Sequence, residues 1–165
     1  MNKYKIEIKW AFIFIGMMLT WMILERLAGL HSSSIDKHAI FTNFIAIPAV
    51  AIYVLALLDK RNTYYGGTMT YKQGFMAGLI ITIFVTIFSP LVQILTSTVI
   101  SPDYFANMIE YSVQEGKMTR QEAEDFFNLQ SYLVQVLIGT PIMGLLTTAV
   151  VALFTKKNNP GTETV

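Results

Sequence analysis

The segment from Gln73 to Pro102 constrains the fold of this chain more than any other. It contains no Asp, Glu, Lys or Arg, and from Phe75 to Leu95 it is almost wholly apolar. A helix of about 20 apolar residues is long enough to cross a hydrocarbon core of about 30 Å. A helix that is apolar on every side has no face to present to water in a soluble protein. We therefore predict that this segment spans a membrane.

Three similar segments accompany it, and the composition agrees with lipid as the solvent. Only 14% of the 165 residues are charged, whereas soluble domains carry about 25%. The sequence predicts an all-α fold, a four-transmembrane-helix bundle with an extracytoplasmic amphipathic helical segment between helices 3 and 4. The integral membrane domain covers 1–155 and a polar C-terminal tail covers 156–165. The predicted spans are 9–30, 39–58, 73–100 and 129–154, and the outer helices lie within 102–128.

The outer segment 102–128 contains clear helix signals. Ser101 is predicted to cap its first helix, which Gly116 ends. The run T-R-Q-E at 119–122 is a capping box that starts a second helix. No strong helix breaker follows before Pro141, so the second helix is expected to continue without interruption into the fourth span.

The distribution of basic residues predicts the orientation. With four spans, both termini and the connection between the second and third spans share one side of the membrane. That side holds eight of the twelve basic residues, namely Lys3, Lys5, Lys9, Lys60, Arg61, Lys72, Lys156 and Lys157. Basic residues near span ends stay in the cytoplasm, so both termini are expected there and the acidic outer segment on the opposite side. A cleaved signal peptide is the alternative for the first span, but no A-x-A-like site follows it.

Three motifs resemble those of one protein family. They are G-x-M-T-Y-x-x-G-F at Gly67–Phe75, P-x-Y-F-x-N-x-I-E-Y at Pro102–Tyr111 and G-K-M-T-x-x-E-A-E at Gly116–Glu124. Together with the basic start and the first span, they resemble the bacterial membrane proteins called domain of unknown function 4199, found mainly in Bacteroidota. The resemblance covers the chain from the first span to about Phe154. It implies a small four-span inner-membrane protein of unassigned function, and it brings no functional residues with it.

The composition excludes several kinds of chemistry. Cysteine is absent, so the chain has no disulfide framework, thiolate nucleophile or Cys-based metal site. A net charge of +1 gives no basic surface for nucleic acid. No nucleophile pairs with a credible base, and no phosphate-cradling loop is present. We therefore predict a protein that is not an enzyme, with no cofactor and no metal site.

A few polar residues within the spans are candidates for a ligand contact. Glu25 and Arg26 lie near the end of the first span, where snorkelling to the membrane surface is the simpler interpretation. Asn43, Gln93 and Gln135 could line a small polar cavity that opens outward, or could form hydrogen bonds between helices. Gly74 and Gly78 form a small-xxx-small pair that allows another helix to pack closely.

The polar turn from His31 to His38 offers a weaker candidate. His31, Asp36 and His38 could bind zinc, but their spacing matches no standard site. A solvated turn is the preferred interpretation.

Two functional hypotheses remain open. The first is an accessory or scaffold protein that binds a membrane-protein partner, or a second copy of itself, through the outer segment or the Gly74 and Gly78 face. The second is a small transporter or lipid-handling protein, suggested by the polar residues and by Pro48, Pro90 and Pro141 within the spans. In both cases the lipid bilayer is the surrounding partner.

Overall fold

The computed structural model describes residues 3–158. Its α-helices are α1 (Lys5–Leu27), α2 (Ile35–Phe41), α3 (Ala46–Asp59), α4 (Tyr71–Leu95), α5 (Tyr104–Gln114), α6 (Arg120–Phe126) and α7 (Leu129–Thr155). A 3₁₀ turn at Thr42–Ile45 joins α2 to α3, and π turns at Lys60–Tyr64 and Thr96–Ile100 extend α3 and α4. No strand occurs among the described residues, so the predicted all-α fold is confirmed.

Four helical segments are long and apolar enough to cross a membrane. They are Lys5–Leu27, Ile35–Tyr64, Tyr71–Ile100 and Leu129–Thr155. Large apolar side chains lie on their outer surfaces, including Leu27, Ile47 and Phe154. Such exposure suits lipid as the solvent, and helices satisfy their own backbone hydrogen bonds there. The predicted four-span helical membrane protein is confirmed.

The described residues form two compact units. The first contains the chain up to Phe14, Ile47–Ile87 and the residues from Gly139 onward, and the second contains Ile15–Ala46 and Phe88–Ile138. The core of the first unit is made of small and branched apolar side chains together with a tyrosine, namely Ala11, Tyr53, Ala56, Leu57, Met69, Ala77, Ile81, Val85, Val151 and Ala152. Of the predicted tail at 156–165, the structure describes residues as far as Asn158, and the rest lies outside the described residues.

Helices α4 and α7 approach each other closely in the first unit. A Cβ atom added to Gly78 would lie 2.5 Å from Thr148 Cγ2, and one added to Gly144 would lie 2.4 Å from Thr82 Cγ2. Each glycine therefore receives a threonine from the other helix. Gly74 lies near Ala152, whose Cβ would be 3.4 Å from an added Cβ. Small residues at such positions allow helix backbones to pack tightly in a membrane.

The second unit departs from prediction at the junction of α6 and α7. The helix expected to run without interruption into the fourth span is broken just before Asn128, so that prediction is wrong. The Asn128 side-chain amide donates to the backbone carbonyls of Glu124 and Asp125 at 2.9 and 2.8 Å. Its side-chain oxygen accepts from the Ser131 backbone N–H at 2.9 Å. One side chain thus caps the end of α6 and the start of α7, which stabilises the break.

Candidate metal centre

Glu25 lies in the last turns of α1 and is buried. Its side chain is only 3% exposed, so the prediction that it snorkels to the surface is wrong. The indole N–H of Trp21, one turn earlier on α1, donates to Glu25 Oε1 at 2.7 Å. The neighbouring Arg26 is exposed, and its guanidinium donates to the Val99 carbonyl at 3.4 Å. Oε1 is thus bonded to Trp21, and the second carboxylate oxygen of Glu25, Oε2, is available to other side chains.

A glycine turn folds the chain back over Glu25. Leu30 N–H donates to the Glu25 carbonyl and Gly29 N–H to the Arg26 carbonyl, both at 3.0 Å, which is the Schellman pattern that ends a helix. Gly29 has φ of 75°, and an added Cβ would lie 2.6 Å from Ser33 Oγ. Only glycine adopts this conformation easily. The turn places His31, two residues later, against the carboxylate.

Both histidines of the chain face the same carboxylate oxygen. His31 Nε2 lies 3.2 Å from Glu25 Oε2, and His38 Nε2 lies 3.5 Å from it. His31 is buried and His38 is partly buried. One ligand atom from each of the three residues lies within 4.8 Å of the other two. The prediction of a solvated turn is therefore wrong for His31, and Asp36 is not part of the cluster.

Hydroxyl groups face the second nitrogen of each imidazole. His31 Nδ1 lies 2.6 Å from Ser101 Oγ, and His38 Nδ1 lies 3.5 Å from the Tyr104 hydroxyl. The Asn107 side-chain amide donates to the His31 carbonyl at 2.9 Å and fixes the backbone there. Metal-binding histidines in proteins have this kind of second partner, which selects the tautomer and orients the ring.

Tyr104 closes one side of the cluster. Its ring centroid lies 5.1 Å from that of His31 and 5.3 Å from that of His38. Its hydroxyl lies 3.4 Å from the hydroxyl of Tyr132. Burial raises the pKa of the Tyr104 phenol, and the neighbouring Tyr132 raises it further. The phenol is therefore neutral at physiological pH and acts as a hydrogen-bonding group.

The geometry fits a small divalent ion. In a tetrahedral zinc site with bonds of about 2.0–2.1 Å, adjacent ligand atoms are about 3.3 Å apart. The distances from Glu25 Oε2 to the two histidine nitrogens, 3.2 and 3.5 Å, bracket that value. Two imidazoles and one carboxylate suit Zn²⁺ and other first-row transition metals, and three protein ligands leave a further position for water or another ligand.

The other predicted polar residues lie elsewhere and make local contacts. Asn43 donates to the Ala39 carbonyl at 2.6 Å, and Gln93 donates to Ser97 Oγ at 2.8 Å. Both bonds stay within one helical segment. Gln135 lines an open pocket of about 520 Å³ with residues of the α6–α7 junction, namely Asp125, Phe126, Asn128, Gln130, Ser131 and Val134. Of the polar candidates predicted within the spans, Glu25 belongs to the metal cluster, together with His31 and His38 from the polar turn.

Ser101 contacts the candidate site, although the sequence predicted a different role for it. Helix α5 begins at Tyr104, and no side chain of the preceding residues caps it in the expected way. The prediction of a Ser101 cap is therefore wrong. The Ser101 N–H bonds to the Thr96 carbonyl across the π turn that ends the third span, and its hydroxyl points to His31. Single π turns occur often at functional sites.

A comparison with known protein families identifies the family of this chain. The model of a family described as a protein of unknown function, DUF4199, matches residues 9–157. The chain belongs to the DUF4199 family. The family resemblance drawn from the sequence motifs is thereby confirmed, and the DUF4199 match includes Glu25 and both histidines. No curated protein and no solved structure matches this DUF4199 chain.

Proposed function

We propose that this DUF4199 member is a non-enzymatic accessory protein of the bacterial inner membrane that binds a divalent transition-metal ion, with Zn²⁺ as the first candidate. One observation carries the proposal: both histidines turn Nε2 to the same buried oxygen of Glu25. Glu25 belongs to α1, His31 to the following turn and His38 to α2. A bound ion would therefore cross-link three consecutive pieces of the second unit, and ligands that are dispersed in the unfolded chain make such binding stabilise the fold.

The hydrogen bonding of His31 supports an ion in this position. If its Nδ1–H donates to Ser101 Oγ, Nε2 presents a lone pair to a carboxylate oxygen 3.2 Å away. Two acceptors at this distance repel each other unless a proton or a cation lies between them. A divalent ion satisfies His31, His38 and Glu25 at once, whereas a single proton satisfies one pair.

A structural or sensing role for the ion agrees with the surroundings of the cluster. The cluster contains one carboxylate, which is itself a ligand and whose second oxygen accepts from Trp21. Among the described residues, no second carboxylate belongs to the cluster to act as a general base, which is a role that a carboxylate has in zinc hydrolases. The proposal of a non-enzymatic protein rests on this donor set.

The orientation and the partner complete the proposal. The basic residues near the span ends favour cytoplasmic termini, which would put α5 and α6 on the opposite side. Exposed carboxylates lie on these two helices, including Glu110, Glu122 and Glu124. Because α5 supplies Tyr104 and Asn107 to the metal centre, occupancy by the ion would stiffen the surface that meets another membrane protein or a second copy.

A metal-binding experiment tests the proposal directly. The chain has only two histidines and no cysteine, so purified protein without an affinity tag gives little background. Titration with Zn²⁺ in detergent, followed by calorimetry, is expected to show one ion per chain. His38→Gln and His31→Gln are each expected to weaken binding by about 100-fold or more, since loss of an outer-shell partner alone costs 10–100-fold. Glu124→Gln, which removes an exposed carboxylate, is the matched control and should bind normally.

The result that would contradict this proposal is unchanged Zn²⁺ affinity in a His31→Gln/His38→Gln double variant. Because His38 is partly exposed, His38→Gln can be prepared even if the other changes impair folding. Co²⁺ provides an independent readout, since tetrahedral coordination gives strong visible absorption that the His38 variant should lack.

A second candidate function is a small transporter or lipid-handling protein. The pocket that contains Gln135 favours it, because polar groups line much of its wall. Uptake of radioactive Zn²⁺ into proteoliposomes distinguishes the two candidates. Uptake above that of protein-free liposomes would favour transport, and binding without uptake would favour the accessory role.

A further inference from the structure

A second polar site lies in the first unit, far along the chain from the metal ligands. A pocket of about 270 Å³ has both polar and apolar lining residues. The charged ones are Lys3, Glu7, Lys60 and Lys72, and the apolar ones include Met76 and Ile80 of α4. Three lysines and one glutamate give this lining an excess of two positive charges. The pocket therefore suits an anion that also carries an apolar part.

The charge of Lys60 is already balanced within the protein. Its ammonium group lies 2.8 Å from Glu7 Oε1 and donates to the Lys3 carbonyl at 2.6 Å. It also lies 3.9 Å from the ring centroid of Tyr64. Lys60 and Glu7 are each only 2% exposed, and a buried pair of this kind needs such hydrogen bonds to offset its desolvation. The excess positive charge thus belongs to Lys3 and Lys72, which are exposed.

The second carboxylate oxygen of Glu7, Oε2, is buried and lacks a hydrogen-bond donor among the described residues. A buried acceptor without a donor costs about 1–3 kcal/mol, and more when it is charged. Glu7 lines the pocket, so an occupant with a hydroxyl or N–H donor could satisfy it. This oxygen is a second indication of a ligand, independent of the lysines.

The position of the pocket along the spans indicates the class of the ligand. Lys3 precedes the first span, Lys60 lies in the π turn that ends the second, and Lys72 lies in the first turn of the third. Met76, which is 46% exposed, and Ile80 follow on the same helix as it continues into its apolar stretch. A polar to apolar gradient over these few residues matches the boundary between lipid headgroups and acyl chains, where basic pockets bind phospholipid headgroups.

We propose that this pocket binds a phospholipid of the phosphatidylglycerol class. The phosphodiester lies between the ammonium groups of Lys3 and Lys72, a headgroup hydroxyl donates to Glu7 Oε2, and an acyl chain follows Met76 and Ile80. A volume of 270 Å³ accommodates a headgroup rather than a whole lipid. The proposal is independent of the metal site, because the two sites share no residue.

The donor requirement selects among phospholipid headgroups. A choline headgroup has no N–H or O–H and leaves Glu7 Oε2 without a partner. An ethanolamine headgroup brings a donor, but its ammonium would be a second cation beside a carboxylate that already pairs with Lys60. A glycerol headgroup brings hydroxyl donors without added charge, and its net negative charge complements the excess of positive charge in the lining.

Native mass spectrometry of the full chain in detergent tests the proposal. Palmitoyl-oleoyl phosphatidylglycerol, phosphatidylmethanol, phosphatidylethanolamine, phosphatidylcholine and inorganic phosphate are titrated separately. Phosphatidylglycerol is expected to bind most tightly, and phosphatidylmethanol, which has the same charge but no hydroxyl, measurably less well. Lys3→Gln and Lys72→Gln are each expected to weaken phosphatidylglycerol binding by about fivefold, the effect of one basic residue near a lipid surface.

Matched controls are available in the same chain. Lys5→Gln and Lys156→Gln remove exposed lysines near the same span ends that do not line the pocket, and they should change binding by less than twofold. The proposal is overturned if the Lys3→Gln/Lys72→Gln double variant binds phosphatidylglycerol as the unmodified chain does, or if phosphatidylcholine binds equally well. Equal binding of phosphatidylmethanol would overturn the assigned contact with Glu7. Binding of inorganic phosphate as tight as that of the lipid would overturn a lipid ligand.

Discussion

At the scale of single residues, Ser101 sets the chemistry that His31 can perform. Its hydroxyl can accept the Nδ1 proton, which leaves Nε2 as a lone-pair donor that faces Glu25. Without this partner the ring is free to carry its proton on either nitrogen and to rotate. The role of His31 thus depends on a residue that lies seventy positions later in the chain.

Ser101→Ala is therefore expected to weaken Zn²⁺ binding by about 10–100-fold, the usual effect of removing a second partner of a metal-binding histidine. Calorimetric titration of the purified variant measures the change. Ser97→Ala is the control, because Ser97 is in the same segment and its hydroxyl accepts from Gln93. Equal affinities of the two variants would show that Ser101 does not orient the imidazole.

The metal cluster also shows which contacts of single residues the sequence does not predict. Glu25 was identified from sequence as an ionisable residue near the end of a span, but snorkelling to the membrane surface was the preferred interpretation. Its pairing with the histidines was not identifiable, because the spacing of the three residues follows no helical or zinc-site pattern. The Schellman turn at Gly29 creates the pairing, and the glycine just after the charged residues was the available signal.

At the scale of secondary structure elements, α4 and α7 pack closely because each helix has a glycine that faces a threonine of the other. Gly78→Ala is expected to destabilise the protein by about 1–3 kcal/mol. The added Cβ would overlap Thr148, so one of the two helices would have to move. Reversible unfolding in mixed micelles by added denaturing detergent measures the change. Gly139→Ala is the control on α7, since no atom lies within 4 Å of its added Cβ.

The same contact allows a rescue experiment. The atoms nearest to an added Gly78 Cβ are Thr148 Cγ2 and Oγ1. Thr148 Oγ1 has no hydrogen-bond partner among the described residues, so its removal breaks no bond. Gly78→Ala/Thr148→Ala should therefore recover most of the stability that Gly78→Ala loses. A double variant as unstable as the single one would show that the threonine is not the obstacle.

Helices α5 and α6 should become less stable in acid. Arg120, on α6, bonds to the carboxylate of Glu110, on α5, at 2.9 Å and lowers the pKa of Glu110. The capping box at Thr119, which the sequence predicted, lowers the pKa of Glu122 through the Thr119 N–H. A carboxyl group whose pKa is lower in the folded state stabilises that state above its unfolded pKa of about 4.3. This contribution disappears as the pH falls through the folded pKa.

Hydrogen exchange measures this effect when rates are corrected for intrinsic exchange. Protection factors of amides in α5 and α6 are expected to fall between pH 6 and pH 3. Glu110→Gln/Glu122→Gln should have low protection already at pH 6 and change little between the two values. Constant protection in the unmodified chain would contradict a role for these carboxylates.

Sequence patterns predicted the elements well where hydropathy decides them. Each of the four spans contains a long apolar stretch, and a helix satisfies its own backbone hydrogen bonds in lipid. The break at Asn128 was not predictable from periodicity, because it depends on a side chain that caps two helices at once. The second span also extends to Tyr64, beyond its predicted end at residue 58, through a π turn of mostly polar residues.

At the scale of the whole molecule, the absence of cysteine gives a direct test of topology. Glu115→Cys places a thiol in the segment after α5, and Asn62→Cys places one in the turn after α3, both at exposed positions. With cytoplasmic termini, a membrane-impermeant maleimide applied to spheroplasts should label Glu115→Cys and not Asn62→Cys. Lysed membranes should show labelling at both positions.

The opposite labelling pattern would place the termini outside and α5 and α6 in the cytoplasm. Labelling of both positions in intact spheroplasts would contradict the assignment of the third span as a crossing. A Lys156→Cys variant just after α7 provides a second position on the side expected to be cytoplasmic and should behave as Asn62→Cys does.

The isolated bridge between Met69 and Lys157 has a consequence for biosynthesis. Each of these residues donates its N–H to the carbonyl of the other, at 2.9 and 2.8 Å. Met69 leaves the ribosome well before Lys157, so its two backbone groups remain hydrated while the last span is still being translated. The bridge that holds the loop between the second and third spans therefore forms only after α7 has entered the bilayer. Its formation is a late step of assembly.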